Sequence, residues 1–274
     1  MLSLKRKLIN WMLKERESEG IPMSDYNRVC YEIRPCDILL IEGRSRMSST
    51  ISFLTRSPWT HACIYIGRLQ DLDDKTLAKH IRNNYEGDEN EHLVIGSYLG
   101  RGTTVEPLSK YRRHHIRICR PRAIAPQDVQ SVIKYCIHAI GYDYNTRQIF
   151  DMLRLLFPIT LMPRKLFSSL FKFDQDSNKQ TICSSLLAEA FHKVSFPILP
   201  KIIVNESNKI ELIPRNPKLF APGDFDYSPF FDIIKYPIFG MTESSAVYKQ
   251  LPWNIEGVYS NDEIGLSKPK PKKK

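Results

Sequence analysis

Cys183 and His61 are the two side chains of this sequence whose types suit acyl transfer, a thiol able to attack a carbonyl and an imidazole able to take its proton. Cys183 stands in Gln180-Thr181-Ile182-Cys183-Ser184-Ser185-Leu186-Leu187-Ala188-Glu189-Ala190-Phe191. Apolar residues at 182, 186, 187, 190 and 191 recur at helical spacing after the polar run 174–179, so the cysteine falls in the first turn of a helix. Free N–H groups and the positive end of the helix dipole favour a thiolate there. A lone cysteine is as readily a small buried apolar side chain, and the choice turns on whether a partner exists. His61 opens Ser57-Pro58-Trp59-Thr60-His61-Ala62-Cys63-Ile64-Tyr65-Ile66-Gly67, a β-branched strand closed by glycine. Alternation puts His61, Cys63 and Tyr65 on one face and Ala62, Ile64 and Ile66 on the other, with a core histidine as the alternative reading.

Three stretches taken in order resemble a known family: Asp37-Ile38-Leu39-Leu40, then Ser57-Pro58-Trp59-Thr60-His61 running into Tyr65-Ile66-Gly67, then Ile182-Cys183-Ser184 opening a helix. They are similar to the YiiX/YebB-like branch of the NlpC-type cysteine hydrolases, over about residues 33–237. The resemblance implies an α+β, circularly permuted papain-like fold, with a small antiparallel sheet packed against the nucleophile helix and the histidine strand preceding it. It implies Cys183 as nucleophile, His61 as base and no cofactor. The substrate would be an amide or ester: bacterial wall peptides, or lipid acyl groups as in the related lecithin retinol acyltransferase group. A member that kept its cleft but lost turnover, serving as a ligand- or membrane-binding module, is the alternative.

The family usually carries a third polar residue, often glutamate, on the strand after the histidine strand. Here that stretch is Leu93-Val94-Ile95-Gly96-Ser97-Tyr98-Leu99-Gly100, with Gly96 in the glutamate's place. A glycine cannot orient an imidazole. Glu106, in Thr103-Thr104-Val105-Glu106-Pro107, is the nearest carboxylate on the next strand. A two-residue turn at Gly100-Arg101 would set Val105 opposite Gly96 and point Glu106 away, whereas a three-residue turn would bring Glu106 across. Glu106 is therefore the candidate third catalytic residue, against the alternative of an exposed strand-end carboxylate. Trp59, two residues before His61, and Tyr144 are candidates for lining a substrate cleft, with core packing the alternative for Trp59.

The elements that must position these groups follow from the rest of the chain. Of 274 residues, 42% are hydrophobic and 11% aromatic, ordinary for a folded protein. The formal charge of +10 points to anionic partners, and much of it lies in Lys5-Arg6-Lys7, Arg112-Arg113 beside His114-His115, and 268–274. No basic segment is interleaved with stacking aromatics, so nucleic acid is not the expected partner. The six cysteines show no paired spacing, so neither a disulfide framework nor a zinc site is expected. His114-His115 reads as a solvated basic edge rather than a metal site. The apolar run 8–13 is short and lacks a cleavage site, so a cytoplasmic protein, peripheral to a membrane at most, is the simplest expectation.

Three regions result: a basic amphipathic helix and lead-in over 1–30, the hydrolase domain over 31–240, and a tail over 241–274 that ends in lysines. Residues 2–19 read as a helix that either packs on the domain or lies on an anionic membrane. Residues 24–33 lead into the first strand. Helices are expected at 45–55, near 76–82, at 126–140 and from Cys183, and strands at 93–99, 103–105 and 116–120. The apolar segment 149–173 reads as a helix hairpin capping the cleft or a lipid-facing lid. The proline-rich stretch to Pro222 should hold no long elements, and 224–237 should pack back on the domain.

Overall fold

The structure, a computed structural model, describes residues 11–15, 23–144, 180–204 and 208–237, and the backbone of 259–261 and 265–267. It divides into two units, Met1–Ile238 and Phe239–Lys274. In the second, β11 (Tyr259–Asn261) and β12 (Gly265–Ser267) form an antiparallel pair. The expected helix at 2–19 is described only at 11–15, and the segments 149–173 and 268–274 lie outside the described residues.

The first unit is α+β. Six strands form one sheet in the order β10-β5-β1-β2-β3-β4, each neighbouring pair antiparallel. They are β1 (Ile38–Ile41), β2 (His61–Gly67), β3 (Leu93–Tyr98), β4 (Gly102–Pro107), β5 (Ile116–Pro121) and β10 (Phe231–Ile234). Ile38, Leu40, Ala62, Ile64, Ile66, Ile95 and Val105 share one face and one apolar core with α4 (Pro126–His138) and α5 (Cys183–Lys193). Leu39, Ile41, Cys63, Tyr65, Val94, Ile116 and Ile118 form a second core on the opposite face, closed by Tyr111 and by Val29 of α1 (Tyr26–Glu32). Because β1 is buried on both faces, its sequence Ile-Leu-Leu-Ile is uninterrupted rather than alternating.

Two differences from the expected course have clear local causes. Residues 26–32, expected only to lead into the first strand, form α1, because Asp25 accepts the Arg28 N–H at 3.1 Å and caps the turn that buries Val29. Residues 231–234 do more than pack back: they pair with β5 and extend the sheet. The other helices fall where the periodicity puts them: α2 (Arg46–Thr55), capped by the Ser45 hydroxyl, and α3 (Lys75–Arg82), capped by Asp74. A short α6 (Gly223–Tyr227) is clamped to the sheet by Asp226, which takes the Arg117 guanidinium at 2.7 and 2.8 Å. Asp37, 1% exposed at the start of β1, is held bidentately by Arg120 of β5 at 2.8 and 2.9 Å and accepts the Arg34 N–H at 2.8 Å.

β6 (Asp143–Tyr144) and β7 (Gln180–Thr181) form a short parallel pair. It is anchored to the edge of β4, where Thr103 donates to Tyr142 O at 2.8 Å and accepts from Gly141 N at 2.9 Å. Gly102 is required there twice over: its φ is +75°, and a Cβ would meet Tyr142 O at 2.3 Å. The proline-rich region holds one hairpin the composition does not announce, β8 (Lys201–Val204) with β9 (Ile210–Ile213).

Candidate active site

β7 delivers Ile182 to the start of α5, where no side chain caps the helix. The backbone N–H groups of Cys183 and Ser184 at that end, and that of Ala62 on β2, act to lower the pKa of the Cys183 thiol. The Ala62 N–H is available because of register. Tyr65 donates to Asp37 O on the β1 side, so alternate residues of β2 turn their N–H groups toward β3, and the β2–β3 pairing begins only at Ile64 opposite Ile95. Cys183 is 7% exposed, and burial raises its thiol pKa despite the three N–H groups.

His61 projects from the first position of β2, on the face of Cys63 and Tyr65, as the alternation predicts. Its Nε2 is buried and has no hydrogen-bond partner. Burial pushes its pKa down to about 3, with the charges of Lys110 and His114 acting in the same direction. At neutral pH the thiol and the imidazole are therefore both uncharged. The imidazole lies between two residues of β3. The Tyr98 ring sits 4.7 Å away, centroid to centroid, and a Cβ on Gly96 would come within 3.0 Å of Nε2.

The remaining predicted residues fall in different places. The β3–β4 connection is a three-residue loop, with Tyr98 opposite Gly102 and Gly96 opposite Thr104. Glu106 consequently shares the face of Gly96, but its carboxylate is engaged by Arg101 at 2.5 Å, by Lys110 at 3.4 Å and by the Thr104 hydroxyl at 3.3 Å. Tyr144 is half-buried at the end of β6, and burial raises its phenol pKa, with Cys183 acting in the same direction. Trp59 is 1% exposed and belongs to the core under the helices. Its Nε1 donates to Asp226 at 3.3 Å and Arg117 stacks over its ring at 4.6 Å, so it presents no open surface to a substrate.

The pair His114-His115, expected as a solvated edge, is not one. His114 is 9% exposed and faces Glu15 at 3.7 Å, and His115 Nδ1 lies 3.2 Å from Glu42. Glu15 belongs to the short described part of the N-terminal segment, which packs on the domain: Arg46 donates to Trp11 O at 3.2 Å and covers the indole at 4.5 Å. Among the described residues, no three His, Cys, Asp or Glu side chains gather in a way that could hold a metal ion.

Sequence reading does not single out Tyr98, Tyr111 or Lys110. Tyr98 follows Gly96 by two residues on β3, so strand alternation carries the signal that places it beside His61. The Tyr98 and Tyr111 hydroxyls bond each other at 2.6 Å, and Lys110 Nζ stands 4.2 Å over the Tyr98 ring. Tyr111 and Lys110 lie in a short 3-10 turn after β4, for which the sequence has no periodic signal.

Comparison with known proteins finds no matching family model and no matching curated protein. Five solved chains match. Among them is the crystal structure of the metalloprotein YiiX (DUF1105) from Escherichia coli O157:H7, which is 13% identical with a TM-score of 0.44 and covers 74% of this chain and 97% of that chain.

Proposed function

We propose that this chain is a thiol-dependent acyl-transfer enzyme of permuted papain-like design, with Cys183 as nucleophile and His61 as base. The observation that carries the reading is that Cys183 opens a helix with no side-chain cap and that this helix packs against β2, the strand that His61 opens. In the reaction, His61 Nε2 takes the Cys183 proton as the sulfur bonds to the carbonyl carbon of an amide or ester. The imidazolium returns that proton to the departing amine or alcohol as its bond to carbon breaks. Water, or a second nucleophile, then releases the acyl group from sulfur. Backbone N–H groups already gathered at the helix start are candidates to hold the oxyanion. The absence of a bond to Nε2 in the free protein accords with catalytic pairs whose hydrogen bonds tighten only on substrate binding. Tyr98, whose ring packs tilted against that of His61, would hold the imidazole where the family would use a carboxylate, and Glu106 acts on Lys110 and Arg101 rather than on the imidazole.

A specific observation favours a second reading, a ligand-binding module built on the same cleft: burial holds both Cys183 and His61 neutral, so no thiolate–imidazolium pair stands ready. One experiment separates the two. Hydrolysis of a generic thioester or amide, together with iodoacetamide labelling, is measured for the wild type, Cys183→Ala and His61→Ala. An acyl-transfer enzyme turns over substrate only with both residues, labels at Cys183 ahead of the other five cysteines, and loses that preference in His61→Ala. Equal labelling in wild type and His61→Ala, with no turnover in either, leaves the binding module.

A further inference from the structure

The β8–β9 hairpin carries an aliphatic face that stands exposed among the described residues. Ile202 pairs across with Leu212 and Val204 with Ile210, so all four side chains stand on one side of the two strands. They are 63%, 49%, 63% and 75% exposed, among the most open large apolar residues described. The hairpin leaves the domain just after Ile198, which is 1% exposed, and returns to Phe220, which is fully buried, so its root is fixed while its apolar face is out. A two-stranded ribbon in water gains little from its own pairing, and aliphatic pairs on its open face lower its solubility unless something receives them.

Charge and area indicate what that is. Residues 193–218, which contain the hairpin and its root, hold five lysine or arginine residues against two glutamates, in a chain of formal charge +10. Four aliphatic side chains form a patch on the order of a few hundred Å², well short of the roughly 800 Å² that each partner buries in a stable protein interface. A patch of that size in a segment of net positive charge suits shallow insertion into a bilayer interface, where apolar burial and attraction to anionic headgroups add.

We propose that the β8–β9 hairpin is a membrane-contact tongue that lays Ile202, Val204, Ile210 and Leu212 into the surface of an anionic bilayer. The tongue is independent of the chemistry at Cys183. Co-sedimentation of the full chain with phosphatidylcholine vesicles, with and without phosphatidylserine, tests it. Binding should require phosphatidylserine, weaken as salt rises, and fall about tenfold or more in the double variant Ile202→Asn, Ile210→Asn. Direct contact is read by Val204→Trp, whose fluorescence should be quenched by bromine-labelled lipid beyond the quenching of the wild-type tryptophans. Wild-type protein that stays in the supernatant, binding that the double variant leaves unchanged, or no added quenching at 204 would each overturn the proposal. So would a lipid-free dimer, seen by light scattering, that the double variant dissociates, since the patch would then belong to a second copy.

Discussion

The backbone of Gly96 lies directly against the imidazole of His61: a Cβ at 96 would stand 3.0 Å from Nε2, 3.2 Å from Cε1 and 3.2 Å from the Cβ of Cys63. The space that a side chain at 96 would need is taken by the histidine itself. Gly96→Ala should therefore displace the ring and cost about 1–3 kcal/mol of stability, since Cys63 is buried and cannot give way. Gly96→Glu should not restore a catalytic triad; Cys183-dependent turnover should fall rather than rise. Denaturant unfolding and a thioester assay check the two halves, and a gain in turnover for Gly96→Glu would mean that the ring has another productive seat.

Tyr98 offers His61 its ring and Tyr111 its hydroxyl, two roles that substitutions can separate. Tyr98→Phe keeps the stack and strands the buried Tyr111 hydroxyl, at a cost of about 1–3 kcal/mol with turnover largely kept. Tyr98→Leu removes the stack as well, and the pH profile of turnover should shift in this variant and not in Tyr98→Phe. Identical profiles in the two variants would remove Tyr98 from the positioning of His61.

Acid should weaken the fold through His61. Its native pKa, pushed down to about 3, lies below the ordinary value of 6.5, so the unfolded chain binds the proton first. The contribution is fully present above about pH 6.5 and is lost as pH falls toward 3. At pH 5 the deficit is up to about 2 kcal/mol. His92, His114 and His192 are displaced in the same direction and add to the wild-type slope. Unfolding free energies at pH 7 and pH 5 should therefore differ less in His61→Gln than in the wild type, by up to about 2 kcal/mol; equal differences would place the imidazole in solvent.

Asp37 is the buried tie between the first strand and its neighbour β5. Removing it in Asp37→Ala strands the Arg120 guanidinium and the Arg34 N–H, and should cost about 3–5 kcal/mol in denaturant unfolding. Arg122→Ala makes the contrast. Its pair with Asp232 is 59% and 52% exposed, and its loss should change stability by less than about 1 kcal/mol.

Much of the candidate site was legible in the residues themselves. The period of 3.6 after Cys183 and the period of 2 around His61 located the helix start and the face of the strand, because those signals are local and depend only on which side of an element is buried. The three-residue loop that turns Glu106 toward the Gly96 face was one of two registers the sequence allowed, and only the paired strands chose between them. That Asp226 holds Trp59 in the core and that Glu15 faces a buried His114 depend on residues up to 167 positions apart. Contacts of that range leave no periodic trace, since each partner's own stretch reads the same whether or not the other is present. The packing of α5 against β2 is of the same kind: helix and strand are each legible in their own stretch, and only the fold sets the one that Cys183 opens against the one that His61 opens.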